Sequence, residues 1–256
     1  RLMAGAAQAA LPLRARARRL SRRAIAIALA ALVLFALYML WLRDSSLVAV
    51  KTVEIEGAGS DAKLERALTD AARDMTTLHV RNDELARAAE PFPLVDSVSA
   101  DPRFPSTLAI HVELREPVGL IGEGSSAVAV AADGTILRGL QADGLRLPRL
   151  PLGAAPGRER LVGTAREQAL VLGAAPAAMR RYAEVSFHDE QGVGVELSGG
   201  VDLRFGDAAR AADKWRSAAA VLADPDLGAL DYVDLRVPDR PAVGGVGHAP
   251  PPLAPG

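Results

Sequence analysis

The chain has 256 residues, 50% apolar and 24% charged, with a formal net charge of -1, which excludes both a disordered tail and a multi-span membrane protein. It has no cysteine, hence no disulfide, thiolate nucleophile or thiolate metal site, and at 4% aromatic content ring stacking on bases or sugars is excluded as a main theme. The near-neutral total hides an asymmetry: residues 1–23 carry seven Arg and no acid, leaving 23 basic against 31 acidic residues in the remainder.

From Ala24 to Leu42 runs AIAIALAALVLFALYMLWL, 19 residues without charge, Pro or Gly. As a helix rising ~1.5 Å per residue it nearly matches the ~30 Å hydrocarbon slab of a bilayer. Arg14, Arg16, Arg18, Arg19, Arg22 and Arg23 crowd its amino-terminal side, while Tyr38 and Trp41 mark the far interface. The pattern predicts a cytoplasmic tail over 1–23, a single type II span over 24–42, a connector over 43–49 and an extracytoplasmic remainder. A cleaved signal peptide would have an apolar stretch of roughly 7–15 residues ending in small side chains, whereas this one ends in MLWL.

Beyond the connector, Val50 to Glu56 alternates as a half-buried strand, with Val53 and Ile55 on one face, closed by Gly57-Ala58-Gly59. Ser60 is placed to cap a helix carrying Leu64, Ala67, Leu68, Ala71 and Met75 on one side, and a second helix is predicted from Asp83 to Glu90, capped by Asn82 and stopped by Pro91. Two strands follow, Val95–Ala100 and Thr107–Arg115, the latter with Leu108, Ile110, Val112 and Leu114 inward. The order is β-α-α-β-β, a unit over 50–116.

From Pro117 shorter strands and turn signals predict a β-rich domain over 117–243, opening with Val128, Val130, an Asp133-Gly134 hairpin turn and Ile136. Thr164 to Tyr182 reads as a helix broken near Gly173 and Pro176, and strands at Ala183–His188, Val193–Leu197 and Val201–Phe205 form an antiparallel meander. Asp207 is placed to cap a helix with Ala208, Ala211, Ala212, Trp215, Ala219 and Leu222 on its apolar stripe. A last strand, Tyr232–Val237, ends at Pro238 and Pro241, which mark it as a sheet edge, and Gly244–Gly256 is expected to be disordered. The fold class is α+β behind one transmembrane helix.

Signals for chemistry are weak. His79, His111, His188 and His248 form no ligand cluster, and Gly122-Glu123-Gly124-Ser125-Ser126 lacks the closing Gly of a nucleophile elbow. Gly57-Ala58-Gly59-Ser60-Asp61-Ala62 satisfies a relaxed dinucleotide fingerprint, but a second helix stands where a parallel strand ending in an acid belongs, so turn-plus-cap is the better reading. The basic tail is explained by topology without nucleic acid. The sequence therefore points to no catalytic, cofactor or metal residues and no small-molecule substrate. What remains is surface: the edge strand formed by Tyr232, Val233, Asp234, Leu235, Arg236 and Val237 is the candidate partner-binding site, since an unpaired edge accepts a strand from another chain. The rival reading, that the prolines block such pairing, stays open.

These residues in this order resemble the FtsQ/DivIB family of bacterial cell-division proteins. The resemblance rests on Val50, Val53, Ile55 and Gly57, on Phe104-Pro105-Ser106-Thr107-Leu108 through Arg115-Glu116-Pro117-Val118, and on Tyr232-Val233-Asp234-Leu235-Arg236. It implies that 50–116 is a POTRA domain and 117–243 an FtsQ-type β domain. It also implies a non-enzymatic scaffold of the division septum in the bacterial plasma membrane, binding the bitopic proteins FtsL and FtsB and helping control the septal peptidoglycan synthase FtsW–FtsI. In that family the last strand of the β domain, with the helix before it, carries the FtsB contact, which falls here on Tyr232–Val237 and on Ala208–Leu222. POTRA units also occur in export and envelope-assembly proteins, the alternative reading, but the strands after Pro117 are too few for a barrel.

Overall fold

A computed structural model describes residues 22–38, 48–59 and 61–251. The first element, α1 (Arg22–Leu37), is apolar on every face after its two opening arginines, with Ile27, Leu34 and Phe35 each more than half exposed. Its 16 residues correspond to ~24 Å at ~1.5 Å per residue. Among the described residues no helix is long and apolar enough to cross a membrane. The rest of the expected span after Tyr38, with Trp41, lies outside the described residues, as do Arg14, Arg16, Arg18 and Arg19; Arg22 and Arg23 open α1.

β1 (Thr52–Glu56), α2 (Ala62–Ala72), α3 (Asn82–Ala89), β2 (Val95–Arg103) and β3 (Thr107–Leu114) make a small sheet of order β1-β3-β2. β1 runs parallel to β3, a pairing that needs a long crossover, and the two helices supply it. Leu64, Leu68, Met75 and Leu85 meet Leu108, Ile110 and Val112 in one core. Two expected caps differ. Asp61 caps α2, its carboxylate accepting from Lys63 N at 2.9 Å and Leu64 N at 3.2 Å, while Ser60, the expected cap, lies outside the described residues. Asn82 is the first residue of α3 rather than its cap. β3 buries Leu108, Ile110 and Val112 as predicted, but Ala109, expected outward, is fully buried, and Leu114, expected inward, is half exposed where the strand ends.

The rest builds a nine-stranded sheet from β4 (Pro117–Ile121), β5 (Val128–Ala131), β6 (Ile136–Leu137), β7 (Arg149–Leu150), β8 (Ala183–Asp189), β9 (Gly192–Leu197), β10 (Asp202–Gly206), β11 (Leu230–Asp234) and β12 (Ala242–His248), with helices α4 (Thr164–Gly173), α5 (Ala177–Arg180) and α6 (Ala211–Leu222). Its order is β12-β11-β10-β9-β8-β7-β4-β5-β6. The β8-β9-β10 meander is antiparallel, then α6 crosses over so that β11 lies parallel to β10. Trp215 on α6 is fully buried against Phe205, ring centroids 5.0 Å apart, and its indole N–H donates to Val171 O at 2.7 Å, which ties α6 to α4.

The two sheets meet at a polar junction. Only Arg115 and Glu116 separate β3 from β4. Arg115 pairs with Asp96 of β2 and with Asp133 of the β5–β6 turn, each at 2.9 Å, Arg160 joins Asp133 at 3.1 Å, and Glu116 pairs with Arg180 of α5. Burial opposes ionisation of Asp133, but hydrogen bonds from Thr135 and the two guanidiniums outweigh it and hold the carboxyl below its ordinary range.

The carboxyl-terminal end departs most from the sequence reading. Residues expected to be disordered from Gly244 onward supply most of β12, and Pro238 and Pro241 lie in the connection between β11 and β12 instead of closing the sheet. Composition counts apolar burial and finds little here; β12 is held by ladder hydrogen bonds to β11, which need no side chains.

Candidate sheet-edge binding site

β12 is the outermost strand at one end of the large sheet, so Tyr232–Val237 is not the edge. β11 ends at Asp234 and is paired on both sides, to β10 and to β12. The six predicted site residues therefore separate. Val233 and Leu235 are fully buried and belong to the core. Tyr232 and Asp234 are half-buried on the other face, where the Arg204 guanidinium stacks 3.8 Å from the Tyr232 ring centre. Arg236 and Val237 lie beyond the strand and are exposed. Arg236 reaches back to Asp234, Nε to Oδ1 at 3.0 Å, and this hydrogen bond and charge hold the Asp234 carboxyl below its ordinary range.

β12 reads Ala242-Val243-Gly244-Gly245-Val246-Gly247-His248, and its glycines have a physical cause. The pairing runs Leu230↔His248 and then Tyr232↔Gly244, so Asp231 alone opposes Gly245, Val246 and Gly247 in a wide bulge. The Asp231 carboxylate fills that bulge, accepting from Gly247 N at 2.9 Å and lying 3.2 Å from His248 Nδ1. Gly245 adopts φ +84, and a Cβ there would fall 2.1 Å from Asp231 Oδ2; a Cβ on Gly244 would fall 2.5 Å from the Tyr232 hydroxyl. The bulge leaves Val246 85% exposed, and Val243 is half exposed. Among the described residues no strand pairs with the outer side of β12.

Behind this edge α6 acts as a brace. Arg210, at φ 52 before the helix, grips Asp239 with two bonds of 2.9 and 3.1 Å and Asp213 with a third of 2.9 Å, and the Ser217 hydroxyl donates to Pro238 O at 2.7 Å. The connection from β11 to β12 is thus clamped to the helix. Asp207, expected as the cap of α6, accepts from Ala209 N at 3.1 Å ahead of the helix and binds the buried Lys214, whose ammonium donates to Asp207 Oδ1 at 2.6 Å and to Phe205 O at 2.9 Å. The hydrogen bond from Lys214 holds the Asp207 carboxyl below its ordinary range. Sequence reading passed over Arg210 and Lys214. The signal for Lys214 was its helix position, one residue before Trp215 and on the buried side.

Elsewhere, Gly57 and Gly59 take positive φ, and the first amides of α2 are occupied by Asp61, the donors a phosphate would use. His111 lies 3.3 Å from Glu56 and 3.4 Å from Asp101, with the two carboxylates on different ring nitrogens. Among the described residues no group of three or more His, Asp and Glu could hold a metal ion.

A sheet that ends in an open, glycine-rich strand, braced by one helix and joined through a two-residue link to a second, smaller sheet, defines an α+β protein with an unpaired strand at the end of its larger sheet. Residues 120–236 match the family model described as cell division protein FtsQ/DivIB, C-terminal, a match that supports membership of the FtsQ/DivIB family of division scaffolds. No curated protein matches the chain significantly. The matched region runs from β4 to the residue after Leu235, so the small sheet and β12 lie outside it.

Proposed function

We propose that this protein is a membrane-anchored scaffold of the division septum that binds FtsB/FtsL-type bitopic partners along the outer side of β12 and through them helps control septal peptidoglycan synthesis by FtsW–FtsI. The small sheet is a POTRA domain on this reading, the nine-stranded sheet an FtsQ-type β domain, and α1 the start of a single type II span. The observation that carries the partner site is the free backbone edge of β12, ordered by its bulge and clamped by α6, which offers a row of main-chain donors and acceptors for one more strand. The exposed Val243 and Val246 add apolar contacts, and Arg236 and Val237 of the predicted site flank the start of the edge.

Main-chain pairing fixes affinity and the alternate side chains fix choice of partner, so breaking the ladder matters more than changing any one side chain. Val243→Pro removes an N–H and stiffens the edge; it should abolish capture of an FtsB-type partner by the full-length protein in detergent while the thermal transition of the large sheet is kept. Capture at wild-type strength by that variant refutes the site. Depletion in cells should give undivided filaments, and normal septation without the protein refutes the scaffold role.

A further inference from the structure

Among the described residues outside α1, few large apolar side chains are bare, and one stands where the chain arrives from that helix. Phe104, in the turn between β2 and β3, is 75% exposed. This turn is stitched to the residues that lead into β1. Lys51 N and Thr52 N both donate to Ser106 O, at 2.8 and 3.2 Å, Thr77 N donates to Val48 O at 2.8 Å, and the Thr77 hydroxyl donates to Pro105 O at 3.0 Å. The β1–β3 ladder begins at the pair Thr52↔Thr107, so Phe104 lies at the end of the small sheet by which the chain enters. Ten peptide units join Tyr38 to Val48. Fully extended they span at most ~35 Å, which bounds how far this end can sit from the end of α1.

We propose that Phe104 is a second membrane contact, its ring entering the headgroup layer of the bilayer that holds α1 and setting the small sheet against that surface. The inference rests on the anchor reading of α1 given above. Phe, with Trp and Leu, is a side chain that surface-lying segments bury at the headgroup–acyl boundary. One ring is a weak ligand for a free protein, but a tether of this length supplies an effective concentration on the order of millimolar, so a weak contact is occupied. Charge does not explain the site: Arg103 is paired with Glu54 at 2.6 Å, and Lys51 and Asp101 bring both signs to the surroundings. The contact is therefore apolar, and it should be indifferent to acidic lipid and to salt.

The absence of cysteine makes a single label unambiguous. Full-length protein carrying a fluorophore at Arg103→Cys is placed in phosphatidylcholine nanodiscs containing headgroup-nitroxide lipid, with Val246→Cys as the remote control. Strong quenching is expected at position 103 and none at 246, and adding Phe104→Ser should cut the first several-fold while the melting transition is kept. The proposal is overturned if position 103 is quenched no more than 246, if Phe104→Ser leaves quenching unchanged, or if quenching grows with copies per disc, which would assign the ring to a second copy of the chain. Protein that fails to enter discs removes the anchor reading and this one together; protein that enters with position 103 unquenched leaves the anchor standing and removes only the contact at Phe104.

Discussion

β11 and β12 lie side by side, yet they are ordered by different physics. β11 is held from the side: Leu230 and Val233, with Leu235 just beyond, pack into the core that Trp215 and Phe205 fill. β12 has almost no buried side chain and is held along its backbone, by the ladder to β11 and by the Asp231 carboxylate in its bulge. The contrast teaches that burial specifies where the sheet is, while backbone pairing alone decides where it stops. A strand of the second kind opens locally at a fraction of the global unfolding free energy, which suits the strand-accepting role proposed for this edge.

Substitutions can sharpen this contrast. Trp215→Ala should cost about 3–5 kcal/mol and take both strands down together, seen as one shifted denaturant midpoint. Retention of β12 after β11 melts would break the hierarchy. Lys214→Met keeps the volume but leaves Phe205 O and the Asp207 carboxylate without their donor, for a global loss of about 1–3 kcal/mol by denaturation. Gly245→Ala should cost about 1–2 kcal/mol through its positive φ alone, with the Asp231 contact in addition. That loss should appear as lost hydrogen-exchange protection in β12, with β11 amides unchanged. Loss across both strands would mean that they form one cooperative unit.

The smallest effect concerns the junction between the sheets. The folded Asp133 carboxyl is held below its unfolded value, so its contribution is fully present above the unfolded value and is lost as pH falls through the folded one. The window lies below about pH 4. Asp133→Asn should flatten that acid limb of a stability–pH profile and lower stability at neutral pH by about 1 kcal/mol, the net size of an ordinary hydrogen bond at a partly exposed site. An unchanged acid limb would show that the junction does not contribute.

Where side chains decide the structure, the sequence was readable. The alternation of Leu108, Ile110 and Val112, the break of the helix at Pro176, the meander through Val195 and Leu203 and the burial of Trp215 all follow from periodicity and turn residues. Where backbone or long-range ion pairs decide, it was not. Nothing local says that Asp231 will fill a bulge of glycines, that Arg210 will take φ 52 and bind Asp239, or that Asp207 will pair with a buried Lys214. Hence the sheet edge lies one strand later than the sequence indicates: its neighbourhood is legible and its outermost element is not, because Val237-Pro238 reads as an end when it is a corner.

The two-residue link between β3 and β4 has a mechanical meaning. With Arg115 and Glu116 each tied across the junction, there is little slack for the sheets to swivel independently. A load on the outermost strand would pass through the nine-stranded lattice into the smaller sheet as torque, as in a crank arm, rather than being taken up at a hinge.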